Sequence, residues 1–142
     1  MFKTIILIPS RLSATRLPRK PLLKINGISI ISHVVKKAQE ADIGEVFVAT
    51  EDEEILDDVN LNGGKAIITS NKHKTGSDRI FECFEKLNLK DIEYIINLQG
   101  DEPNIDINDL KHLNKLISLN KPEIGTLASK INDKYKLINE NI

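Results

Sequence analysis

Residues 4–20 read TIILIPSRLSATRLPRK. The first six are a continuous apolar run closed by Pro9, which predicts a strand buried on both faces, as in a parallel sheet. The rest is a polar, basic loop. Outward from this pair the same alternation returns along the chain. Residues 29–41 place Ile30, Ile31, Val34, Val35 and Ala38 at helical spacing, with Lys36, Lys37, Gln39 and Glu40 on the other face. EVFVAT at 45–50 reads as a second strand, and 52–61 as a helix with an acidic start and a Gly63-Gly64 stop. A third strand is expected at 65–69, then a helix with Ser77 as N-cap that carries Ile80, Phe81, Phe84 and Leu87. EYIINL at 93–98 is the fourth strand. A helix over 107–119 follows, with Leu110, Leu113 and Ile117 inward, and a fifth strand near 125–130. Strands alternating with helices at this spacing predict an α/β fold with a mainly parallel sheet and right-handed crossovers.

The chain of 142 residues fits one domain, 1–142, with 29% charged and 40% apolar residues and no low-complexity tract, so a disordered or fibrous class is excluded. The longest apolar run near the start, Ile5 to Ile8, is too short for a signal-peptide core or a membrane span, and a cytoplasmic location is expected. Cys83 is the only cysteine, which excludes an intrachain disulfide and predicts a small buried side chain between Phe81 and Phe84. The net charge of −1 hides an asymmetry: residues 1–39 hold eight Lys or Arg and no acid, residues 40–142 twelve basic and twenty-one acidic. That pattern predicts a small phosphorylated partner rather than nucleic acid. Lys outnumbers Arg sixteen to four, yet Arg11, Arg16 and Arg19 fall within nine residues. Clustered guanidinium groups suit bidentate phosphate binding; the bland alternative is a solvated loop.

In a parallel sheet the strand-to-helix loops emerge at one edge, where ligands bind, so loops 10–20, 70–78 and 99–104 are expected to converge. Neither Gly-x-x-x-x-Gly-Lys-Ser/Thr nor Gly-x-Gly occurs, which disfavours P-loop ATPases and dinucleotide oxidoreductases. The first loop instead offers Arg11, Ser13, Thr15, Arg16, Arg19 and Lys20 to wrap a triphosphate, its backbone limited by Pro18 and Pro21. Asp101, in QGDEP at 99–103, suits a Mg²⁺ ion held against phosphate oxygens, the alternative being a turn acid. The amides of residues 73–79 and Arg79 are expected at a nucleotide's base or ribose, although Ser77 and Asp78 also read as helix-start residues. Glu51 to Glu54 are explained as an acidic helix start, and His33 and His112 are given no chemistry.

IPSRLSATRLPRKPL at 8–22, NG at 26–27, VATEDEEI at 48–55, GG at 63–64, HKTGSDR at 73–79 and NLQGDEP at 97–103 together resemble the 3-deoxy-manno-octulosonate (Kdo) cytidylyltransferases, the CMP-Kdo synthetases. The resemblance runs from Met1 to about Lys130. It implies a Rossmann-like, three-layer α/β/α fold of the nucleotide-diphospho-sugar transferase type, incomplete at the C-terminus. It also implies transfer of CMP from CTP to Kdo, with pyrophosphate leaving and Mg²⁺ assisting, for lipopolysaccharide synthesis. On that pattern Arg11, Ser13, Arg16 and Lys20 face the triphosphate, Gln99 and the Thr75–Ser77–Arg79 loop the cytidine, and Asp101 the metal, with Arg16, Lys20 and Asp101 carrying catalysis by positioning and charge neutralisation. Arg19 stands where many members carry Gly, and is expected to tune a phosphate contact or to point to solvent. The family's sugar-binding residues, further metal carboxylates and dimerisation segment are expected beyond Ile142, so the 142 residues are expected to bind CTP and turn over little. The rival readings are a cytidylyltransferase for another acidic sugar, such as an acylneuraminate, and a non-catalytic nucleotide-binding remnant.

Overall fold

A computed structural model describes residues 4–13, 17–101 and 103–120. Its first strand, β1 (Thr4–Ser10), is buried on both faces. Ile6 and Ile8 enter one apolar cluster, Ile5 and Leu7 another, so the strand's alternation splits the core into two layers. β1 pairs in parallel with β4 (Val46–Thr50) on one side and β6 (Tyr94–Asn97) on the other, and β4 pairs in parallel with β5 (Ala66–Ile68). The sheet order is β5-β4-β1-β6. Three helices cover one face: α1 (Ile30–Glu40), α2 (Glu53–Leu61) and α4 (Ile107–Asn120). The other face is covered by α3 (Gly76–Leu87), through Ile80 and Cys83. The three-layer parallel α/β architecture expected from the sequence is therefore present; the strand expected near 125–130 lies outside the described residues.

Local chemistry explains the boundaries. Ser29 caps α1, its Oγ accepting from the Ser32 amide at 3.1 Å, and both Ser29 and Ser32 hydroxyls donate to the Asp58 carboxylate, clamping α1 to α2. Thr4 Oγ1 donates to Asn114 at 2.9 Å and ties α4 to β1. The cap of α3 is Thr75, whose Oγ1 accepts from the Asp78 amide at 3.1 Å, so the expectation of Ser77 is corrected by two residues. Thr75 has the extended backbone an N-cap needs, whereas Ser77 already lies in the first turn.

Apolar periodicity did not reveal the small elements after the first loop. A short 3₁₀ turn, Lys20–Leu22, leads into an antiparallel hairpin of β2 (Lys24–Ile25) and β3 (Ile28–Ser29). Its turn, Asn26-Gly27, has φ of 52° and 81°, the two positive values a two-residue hairpin loop requires. From β1 the chain builds outward to β4 and β5, then returns to place β6 on β1's other side. The β6 loop leads to the same face as the β1 loop, toward α4, whereas the β5 loop leads to α3 on the other face, and the three meet around a crevice at the carboxyl end of β1.

Candidate functional site

A cleft of about 270 Å³ occupies that crevice. Its wall comes from three segments: Pro9, Ser10 and Arg11 at the end of β1 with Lys20 and Pro21 from the 3₁₀ turn; His73, Lys74, Thr75, Gly76 and Arg79 after β5; Gln99, Gly100 and Asp101 after β6. The expected convergence of loops 10–20, 70–78 and 99–104 is thus realised. Close packing brings them together. A Cβ on Gly76 would stand 3.1 Å from the Pro9 ring, and one on Gly100 would stand 3.0 Å from the Pro9 carbonyl oxygen. Glycine lets both loops close on the end of β1 from opposite faces of the sheet.

Of the residues singled out in the sequence, Arg11, Lys20, Thr75, Arg79, Gln99 and Asp101 line the cleft. Thr15 and Arg16 lie outside the described residues. Ser13 is exposed and is not part of the wall, and neither is Ser77. Lys20 Nζ stands 3.7 Å from Asp101 Oδ2 at the mouth, where the Asp101 side chain is 61% exposed. Arg11, Lys20 and Lys74 face one carboxylate across this space, a field that favours a polyanion. Among the described residues no group of three or more His, Cys, Asp or Glu is placed to hold a metal. Asp101, the one carboxylate among the described residues of the wall, does fit Mg²⁺, which takes one or two carboxylates and completes its shell with water and substrate oxygens.

Arg79 is only 3% exposed, and its guanidinium is already engaged. Nη1 donates to Thr69 Oγ1 at 2.6 Å and to the Ser70 carbonyl at 3.2 Å, and Nη2 pairs with Glu51 at 3.3 Å. It therefore holds the loop from inside. Arg19, expected to tune a phosphate contact or to point to solvent, is exposed and makes a bidentate ion pair with Glu54 on α2 rather than lining the cleft. Its backbone has φ of 62°, the left-handed region that glycine occupies at least cost.

The acidic run read as a helix start does more than complement a dipole. Glu51 pairs with Arg79, Glu54 with Arg19, and the Asp52 carboxylate accepts from the Leu12 amide at 2.8 Å, fastening the basic loop to α2. A signal was present: four consecutive acids at the end of a strand exceed what one helix N-terminus needs. The second residue set not singled out is His73 with Glu82. The Glu82 carboxylate is held at about 2, far below the usual range, first by the Ser70 amide and then by Lys86 and His73.

A doubly wound parallel sheet with a cationic, carboxylate-bearing crevice at its reversal defines a nucleotide-binding α/β protein. The chain belongs to the cytidylyltransferase family, whose model matches residues 5–142. It is 42% identical over 141 residues to a 3-deoxy-manno-octulosonate cytidylyltransferase of Rhodopseudomonas palustris, covering 99% of this chain and 58% of that protein. To the enzyme of that name from Thermodesulfovibrio yellowstonii it is 45% identical over 145 residues, 98% of this chain and 57% of the relative. The chain thus spans rather more than half the length of the curated relatives it matches. Among solved structures, CMP:2-keto-3-deoxy-manno-octonic acid synthetase complexed with CTP superposes with a TM-score of 0.78 at 42% identity, covering 84% of this chain and 48% of the other. A cytidylyltransferase from Leptospira borgpetersenii gives a TM-score of 0.73 at 28% identity, with 87% and 52% covered.

Proposed function

We propose that these residues form the nucleotide-binding portion of an enzyme that transfers CMP from CTP to Kdo, the hydroxyl of the sugar attacking the α-phosphorus and pyrophosphate leaving. One observation carries the reading: Arg11, Lys20, Gln99 and Asp101 meet the 73–79 loop in a single cleft at the sheet's reversal. Relatives named for this reaction, matching 99% of this chain, support Kdo as the sugar. Arg11 and Lys20, with Arg16 from the same loop, neutralise the triphosphate and the Thr15 hydroxyl donates to it; Gln99 and Thr75 border the cytidine. Asp101 would hold Mg²⁺, which supplies Lewis-acid stabilisation of the phosphate oxygens. No covalent intermediate is needed, so the protein contributes orientation and charge neutralisation. Lys20 Nζ stands 3.7 Å from Asp101, so both charges are held at the mouth where a metal-bound triphosphate would engage them. Homodimerisation, a cytoplasmic setting and a role in lipopolysaccharide synthesis belong to the same reading; no helix among the described residues is long and apolar enough to cross a membrane.

The test is calorimetry with CTP, UTP and GTP in Mg²⁺, alongside a pyrophosphate-release assay with CTP and Kdo. Selective CTP binding is expected, with turnover by the 142 residues more than tenfold below the roughly 1–10³ s⁻¹ of ordinary enzymes. Equal affinity for all three nucleotides would overturn the assignment.

A further inference from the structure

The 70–76 loop carries an imidazole whose geometry the nucleotide reading has not used. His73 lines the cleft, and its side chain is 19% exposed. Its Nε2 lies 2.8 Å from Glu82 Oε1 on α3. An ionised carboxylate only accepts, so this contact places the ring proton on Nε2 and leaves Nδ1, in the neutral ring, as an acceptor. Among the described residues no hydrogen bond engages Nδ1. Glu82 is itself held on every side: both carboxylate oxygens lie within hydrogen-bond reach of the Ser70 amide, at 3.0 and 3.2 Å, and Lys86 Nζ is 3.0 Å from Oε2. Lys86 also donates to the Ile68 carbonyl at 2.7 Å, which ties the group to the end of β5. The imidazole is thus fixed in place and in tautomer from behind, as a pre-formed contact rather than an adaptable one.

Its place in the cleft indicates what it meets. Lys20 and Asp101, 3.7 Å apart at the mouth, are the groups for phosphate and metal, and Arg11 and Lys74 add further cations to the wall. His73 belongs to the loop that enters α3, on the face of the sheet that α3 covers. A nucleotide whose metal-bound phosphates sit at Lys20 and Asp101 extends across the cleft and brings its nucleoside to His73.

We propose that His73 is a nucleotide-contacting residue, its Nδ1 accepting a hydrogen bond from an N–H or O–H donor of the nucleoside, and that Glu82 is the positioning residue that fixes the ring for this contact. The proposal rests on the nucleotide reading of the cleft and adds a recognition element to it. The donor is either the exocyclic amine of the base or the ribose 2′-hydroxyl.

The experiment compares His73→Gln and Glu82→Gln with the unaltered chain. His73→Gln keeps an amide near the Nε2 position toward Glu82 but offers nothing where Nδ1 stood. It is expected to keep the unfolding midpoint, to weaken CTP binding about tenfold, and to leave inorganic tripolyphosphate binding unchanged. The loss shrinks with UTP if the donor is the base amine and with 2′-deoxy-CTP if it is the ribose hydroxyl. In nitrogen–proton correlation spectra the unaltered chain should show His73 as the Nε2–H tautomer, and Glu82→Gln should mix the two tautomers while weakening CTP severalfold; a merely structural Glu82 would not move that signal. Unchanged CTP affinity in His73→Gln, or an equal loss for tripolyphosphate, overturns the His73 contact alone. An unchanged tautomer in Glu82→Gln overturns the positioning role. Failure of the unaltered chain to bind CTP overturns the nucleotide reading and this contact together.

Discussion

Lys20 and Arg19 are adjacent in sequence and opposite in use. Lys20 reaches the mouth of the cleft and Asp101, whereas Arg19 folds back to Glu54. Lys20→Ala is expected to weaken CTP binding by about 1.5–3 kcal/mol, the usual cost of losing a charge-assisted contact, while Arg19→Gly leaves CTP affinity unchanged; calorimetry on both variants checks the pair. Cys83 shows a second residue-scale effect. It is wholly buried beneath α3, and burial, with the Glu82 charge next to it, pushes its thiol up to about 11. Alkylating reagents act on the thiolate, so at pH 8 Cys83 should stay unlabelled in the native chain and react as denaturant unfolds it. Fast labelling without denaturant would show that α3 opens locally.

At the scale of elements, approach distance decides what each position tolerates. Gly44 lies in the loop from α1 to β4, and a Cβ there would stand 1.9 Å from the Thr4 carbonyl oxygen, a backbone atom that cannot swing aside. Gly44→Ala is expected to cost about 1–3 kcal/mol, read from the urea midpoint, because β1 and β4 must part locally to admit it. The neighbouring contact, the Ile6 amide donating to the Glu45 carbonyl at 2.9 Å, would be the first lost. Helix α2 is joined to the functional loops through its N-terminus, since Asp52 holds the Leu12 amide and Glu54 holds Arg19. The loop that carries the cations is in this way fastened to a packed helix, which lowers the entropy cost of ordering it on a ligand.

For the whole molecule, stability depends on pH through Glu82. Its carboxyl titrates at about 2 in the fold against an ordinary 4.5, so the folded state favours the ionised form. The stabilisation is complete above pH 4.5 and is lost as pH falls from there toward 2. Urea unfolding across that window should show stability falling with acid in the unaltered chain and a shallower fall in Glu82→Gln; identical slopes would show that Glu82 contributes nothing to the acid limb. The sheet is unevenly covered. Phe81 on α3 is 65% exposed, and Ile95 on β6 faces the same side of the sheet as Ile5 and Leu7 yet is 38% exposed. Both sit on the face that α3 alone covers among the described residues.

The sequence by itself determined the alternation of strands and helices, the two-sided burial of β1, and the edge at which the loops emerge. Those follow from local periodicity: an unbroken apolar run such as Ile5 to Ile8 can only be satisfied inside a covered sheet. It also marked Arg11, Lys20, Gln99 and Asp101, because residue type and place at a strand's end suffice to name them. Tertiary structure decided which side chains were already committed. Arg79 and Arg19 look alike as free cations in the sequence, but their partners, Glu51 with Thr69 in one case and Glu54 in the other, come from segments 10 to 35 positions away. The pairing of His73 with Glu82 is hidden for a related reason: nine residues separate them, and only the turn that seats Thr75 as the cap of α3 brings the ring back onto the helix. Periodicity reports which face of an element is apolar. Hydrogen-bond partners depend on distances across the fold, and those exist only once the layers have packed.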